Sequence, residues 1–192
     1  MLYRGGIAMK QGIRYILKKR LLPKNSHKRV STMKPEWITI HEVSMGTDVR
    51  EAERNFAYYH NLLLDESKKT TIGYHFLVEA QHGKNPVIYQ FLEGGVATDH
   101  TGNKVGNSKS IGIERLVNEE TDFQVAIMAQ AKLTATLMHK YNIPIENVVP
   151  HKHWNGKECP ARLLAGMHGG WDGFIENVLY FFNNKDFIKG VQ

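Results

Sequence analysis

A chain of 192 residues has room for one domain with a sizeable core. Its 42% hydrophobic and 23% charged residues exclude a disordered or fibrous chain. No stretch approaches the roughly 18 uninterrupted apolar residues of a membrane-spanning helix, and the lone cysteine, Cys159, excludes an internal disulfide and suits a reducing compartment. The net charge of +6 is uneven, because ten of the 25 Lys/Arg and none of the 19 Asp/Glu fall in residues 1–34. The rest of the chain is mildly acidic, and its aromatics do not interleave with the basic segment as a nucleic-acid platform requires, so no nucleic-acid partner is expected.

In chain order, residues 1–8 precede a second methionine and read as an extension. Residues 11–20 carry weak helical spacing, with Ile13, Ile16 and Leu17 on one face. Pro23, Asn25 and Ser26 then break the pattern. Residues 1–34 are therefore expected to be a basic arm packed on the edge of a domain covering 35–183, with 184–192 as a tail. Residues 37–43 alternate and are β-branched, which predicts a strand. Asp48 caps an expected helix to about residue 65, with Val49, Ala52, Phe56, Tyr59 and Leu63 as its apolar stripe. Two strands follow at 72–79 and 87–92, joined by a turn at 82–86. Residues 94–109 are polar and glycine-bearing and read as a surface loop. A strand at 110–117, a long helix from the cap Asp122 to about residue 141, a short apolar run at 145–149 and a closing helix at 171–182 complete the pattern. Strands separated by helices in this order predict an α/β domain with a mixed central β-sheet flanked by helices.

The chemistry concentrates in HKHWNGKECP, residues 151–160. An imidazole, His151, and a thiol, Cys159, on one loop can close on a single zinc ion, and His41, ending the run WITIH, is the candidate third ligand. Three such ligands leave a position for water, the arrangement of a zinc hydrolase. Glu114 interrupts the apolar strand SIGIERLV on the face shared with Gly112, where the glycine would leave room for a ligand; a carboxylate there would be desolvated, with a raised pKa. Tyr74 and Lys157 could each donate to an oxyanion. Each residue has a plainer reading as well: a strand-end histidine, a bystander cysteine, a solvated glutamate or lysine, a packing tyrosine. A structural zinc site would need a fourth protein ligand, for which His75 or His153 is available.

The motifs ITIHEV, IGYHFLVE, NSKSIGIE and PHKHWNGKECPARLL, in that order, resemble the zinc-dependent type-2 N-acetylmuramoyl-L-alanine amidases, which include phage endolysins and bacterial autolysins and are related to peptidoglycan recognition proteins. The similarity runs over about residues 10 to 183. It implies Zn2+ held by His41, His151 and Cys159, with Glu114 as catalytic glutamate, Tyr74 and Lys157 as catalytic partners, and His100 lining the groove. His153 does not have the spacing of the family's ligand. The implied substrate is peptidoglycan, cut between N-acetylmuramic acid and L-alanine; the alternative is a non-catalytic peptidoglycan-binding module of the same fold. The N-terminal apolar runs IRYIL and LL are short and cut by KKR, with no small-residue cleavage site, so no signal peptide and no stable membrane insertion are expected. A monomer made in the cytoplasm, reaching the wall through a holin-type pore or lysis, is the expectation.

Overall fold

The computed structural model describes residues 13–44, 71–117, 121–184 and 186. Its strands are β1 (Ile16–Lys19), β2 (Ser31–Thr32), β3 (Trp37–Ile40), β4 (Val43–Ser44), β5 (Phe76–Glu79), β6 (Val87–Gln90), β7 (Val96–Ala97), β8 (Ser110–Val117) and β9 (Val148–Pro150). The helices are α1 (Lys104–Lys109), α2 (Phe123–Tyr141), α3 (Lys152–Asn155), α4 (Ala161–Leu164) and α5 (Gly170–Asn183). The main sheet runs β1-β6-β5-β8-β3-β9, with β4 pairing onto β8, while β2 and β7 form a separate antiparallel pair. Among the described residues of the main sheet only β5 and β6 pair antiparallel; β1 with β6, β5 with β8, β8 with β3, β3 with β9 and β4 with β8 are parallel. The sheet is mixed, as expected.

The alternation of β8 separates two environments. Ile111 and Ile113 are fully buried and join Ile38 and Ile40 of β3 in the main core. That core is closed by α2 and α5, whose Phe174, Val178 and Phe181 have no exposed surface. Burying each such side chain stabilises the fold by roughly 1.5–3 kcal/mol. The α2 helix starts where Asp122 accepts a hydrogen bond from the Val125 amide and stops at Asn142 in the left-handed region (φ 54°). On the opposite sheet face lie Ser110, Gly112 and Glu114 of β8, Thr39 of β3, and His41 just beyond its end. A second apolar cluster, containing Tyr74, Leu77, Phe91 and Leu116, continues the structure from there.

Several expectations change, among them the strand at 72–79, which begins only at Phe76. The helical spacing at residues 11–20 does not produce a helix over its described part: Ile16–Lys19 is a strand, in register with Val87–Gln90. Two aliphatic residues and a ladder of inter-strand hydrogen bonds outweigh a weak periodic pattern. The supposed surface loop at 94–109 contains β7 and α1. The loop carrying His151 and Cys159 contains the single-turn helix α3. The Asp48-capped helix lies outside the described residues. No helix among those described is long and apolar enough to cross a membrane.

Candidate active site

Parallel pairing brings the site together. The His151 amide donates to the Ile40 carbonyl at 3.2 Å and the His41 amide to the Ile113 carbonyl at 3.0 Å. His41 and His151 thus sit side by side at the carboxyl ends of β3 and β9, and Glu114 lies on β8 next to them, the end of an α/β sheet where ligands characteristically bind. Cys159 returns to this point from the loop after α3. One donor atom from each of His41, His151 and Cys159 falls within 4.8 Å of the others, and all three residues are buried. Among the described residues this is the group of His, Cys, Asp and Glu side chains close enough to hold a metal ion.

The hydrogen bonds around the imidazoles determine which atoms face the centre. His151 Nε2 lies 3.1 Å from the Thr101 carbonyl oxygen, while its Nδ1 is buried without a hydrogen-bond partner. The Asn155 amide nitrogen donates to the same carbonyl at 2.9 Å and lies 3.1 Å from His151 Nε2. His41 turns Nδ1 towards Cys159 Sγ, 4.0 Å away, and towards Glu114 Oε1, 3.9 Å away. The Glu42 amide approaches the sulfur at 3.5 Å. Burial holds His41 and His151 below the ordinary histidine range and pushes the Cys159 thiol up to about 11. Neutral imidazoles, one with Nδ1 facing the thiol and the other with Nδ1 unpartnered, and a buried thiol near a cation, Lys157, are a donor set that fits zinc.

Glu114 has 17% of its side chain exposed, and its Oε2 is buried without a hydrogen-bond partner. Burial raises its carboxyl to about 8, against the opposing pull of Lys157 and Arg115. The next residue, Arg115, points the other way and is fully buried. It donates to Glu42 at 2.8 Å and to Gln130 at 2.5 Å. Gln130 in turn donates to the carbonyls of His41 and Ile113, at 3.2 and 3.0 Å. Glu42 also accepts from the Arg162 amide at 3.0 Å, tying the end of β3 to the segment after Cys159.

Lys157 is exposed, and its charge acts on His41, Glu114, His151 and Cys159 alike. Tyr74 is buried in the second apolar cluster, its ring edge-on to Phe91 with centroids 5.4 Å apart. His153 stacks on Trp37, centroids 5.5 Å apart. His75 uses both ring nitrogens, with Nδ1 accepting from the Gly112 amide at 3.0 Å and Nε2 lying 2.8 Å from the Val96 carbonyl. Neither is in the metal-competent group. The space beside Gly112, expected to admit a ligand, is taken by His100: a Cβ on Gly112 would come within 2.7 Å of His100 Nδ1. His100 also lines a cleft of about 690 Å³ together with Val30, Ile72, Ala97 and Asp99. Sequence reasoning missed Thr101, Asn155, Gln130 and Glu42. Of these only Glu42, adjacent to His41, carried any local signal.

A mixed sheet with two imidazoles at the carboxyl ends of β3 and β9, a desolvated carboxylate beside them on β8 and a buried thiol returning to them defines an α/β domain equipped for metal-assisted chemistry. Residues 31–162 match the family described as N-acetylmuramoyl-L-alanine amidase, and the chain belongs to that family. It is 35% identical over 167 residues to the N-acetylmuramoyl-L-alanine amidase CwlH of Bacillus subtilis (strain 168), covering 84% of this chain and 60% of CwlH. It is 38% identical over 150 residues to the amidase XlyA of the same organism, covering 76% of this chain and 45% of XlyA. The chain therefore spans about half the length of these curated relatives. Among solved structures it is similar to a mutant endolysin from Bacillus subtilis, with a TM-score of 0.70 and 34% identity over 86% of this chain and 99% of that one.

Proposed function

We propose that the chain hydrolyses bacterial peptidoglycan at the amide between the lactyl group of N-acetylmuramic acid and the L-alanine of the stem peptide, in a zinc-dependent reaction. The observation that carries this reading is the meeting of His41, His151 and Cys159 beside Glu114, in a chain of the amidase family. His41 and His151 would hold zinc through Nδ1 and Cys159 through its thiolate, leaving one position for water. When bound, the ion supplies an acidified water and Lewis acidity towards the scissile carbonyl.

Glu114 takes the proton of the attacking water and returns it to the alanine nitrogen as the C–N bond breaks. Its burial favours the neutral acid, and a cation at the three donors opposes that, leaving a carboxyl poised to exchange protons near neutrality. The Lys157 ammonium stabilises the developing oxyanion. Tyr74 is assigned a secondary share through its hydroxyl; since its ring is fixed against Phe91, Tyr74→Phe separates that share from packing. The cleft beside His100 is assigned to substrate, in keeping with pockets lined by apolar walls and a few polar groups. As with endolysins, the wall is reached after release from the cytoplasm.

The test is digestion of purified Gram-positive peptidoglycan with and without chelator. New L-alanine amino termini, no new reducing sugar ends, and recovery on adding zinc are expected. Sedimentation with the wall and no new ends would instead identify a binding module, and new reducing ends a different bond.

A further inference from the structure

His100 stands behind a candidate ligand instead of beside it. Its Nδ1 is 3.0 Å from His41 Nε2, and its Nε2 is 3.1 Å from the Ser110 carbonyl oxygen. A carbonyl can only accept, so His100 Nε2 carries the proton. In the neutral ring Nδ1 is then an acceptor. The partner facing that acceptor, His41 Nε2, must donate. With its one proton on Nε2, neutral His41 has a lone pair on Nδ1, the atom facing Cys159 and Glu114.

Two neighbours hold this arrangement. Gly112 leaves the space that the His100 ring occupies, since a side chain there would meet Nδ1 at 2.7 Å and two ring carbons at 3.0 Å. The Asn107 carboxamide oxygen accepts from the His100 amide at 3.0 Å and from the Thr101 amide at 2.8 Å. The same short segment thus places His100 behind one candidate ligand and the Thr101 carbonyl behind the other.

We propose that His100 is a positioning residue that accepts the Nε2 proton of His41 and so commits the Nδ1 lone pair of His41 to the metal. This rests on the zinc reading above for its purpose, but its central statement concerns the metal-free protein. Partners of this kind orient metal-ligating histidines and are typically worth 10–100-fold in metal affinity.

The experiment is long-range nitrogen–proton correlation of the histidine rings in the zinc-free 192-residue chain, followed by chelator competition with zinc. Wild-type His41 is expected to hold its proton on Nε2, and a proton on Nδ1 overturns the proposal without any variant being made. His100→Phe keeps bulk but removes the acceptor; it should mix the His41 tautomers and weaken zinc binding about 10–100-fold. His100→Asn, whose carboxamide oxygen replaces Nδ1, should recover most of that loss. Unchanged His41 tautomer and zinc affinity in His100→Phe would overturn the assignment. A wild-type protein with the expected tautomer but no zinc affinity would instead overturn the zinc reading.

Discussion

His151 is joined to Thr101, fifty residues earlier in the chain, by a 3.1 Å contact between Nε2 and a main-chain carbonyl. Its Nδ1 is thereby left as a buried atom with no partner. Filling the site must also ionise Cys159, whose thiol is pushed up to about 11, and favours ionised Glu114, whose carboxyl stands at about 8. Zinc binding is therefore expected to release protons: more than one at pH 7, falling towards one as pH rises past 8, where Glu114 is already ionised. Calorimetry in buffers of different ionisation enthalpy measures this directly. Equal heats in all buffers would remove the thiol from the ligand set.

The metal-free fold should weaken with alkali. Glu114 titrates at about 8 when folded against an ordinary value of 4.5. Between these values the folded state binds more protons than the unfolded one, so stability falls as pH rises through that window. Glu114→Gln cannot ionise and should remove this component. The check is the difference between wild-type and Glu114→Gln melting temperatures, in chelator, from pH 5 to 9.

Glu114→Gln should also separate binding from catalysis. Loss of a positioned acid–base group lowers turnover by about 10²–10⁴-fold, while His41, His151 and Cys159 remain to hold zinc. Turnover on peptidoglycan and zinc content by elemental analysis test the two halves. Loss of zinc along with activity would reassign Glu114 to the metal.

Glu42→Ala should be costly beyond its single charge. Fully buried Arg115 would lose its carboxylate, and the Arg162 amide its acceptor. Breaking a buried pair in this way typically costs about 3–5 kcal/mol, readable by urea denaturation of the metal-free protein. Because the Glu42 carboxylate also ties the end of β3 to the segment just after Cys159 through the Arg162 amide, zinc affinity should fall as well.

The parts of the fold legible in sequence were those set by local pattern. The 110–117 strand and the helix opened by Asp122 occur with the bounds expected, since alternation and capping are properties of neighbouring residues. The six-residue α1 was not legible because LysValGlyAsnSerLys has no apolar stripe and its cap, Asn103, also suits a turn. His41, His151, Cys159 and Glu114 could be named because their side chains carry the chemistry. Thr101 could not: what it contributes is a carbonyl oxygen, which every residue has, and only the fold determines which one meets His151. The room beside Gly112 was recognised, but its occupant, His100, comes from a different segment.

The placement of β1 changes what the lysine-rich beginning of the chain does for the molecule. Among the described strands it is outermost beside β6, with Lys18 and Lys19 exposed. Charged side chains on a terminal strand discourage further strand addition. This segment therefore caps the ladder against self-association, whatever else its charge attracts. Trimming residues 1–34 as a detachable leader would pass the open hydrogen-bonding groups to Val87–Gln90, a strand with Ile88 at its centre. The shortened protein would acquire an adhesive border that the intact one conceals.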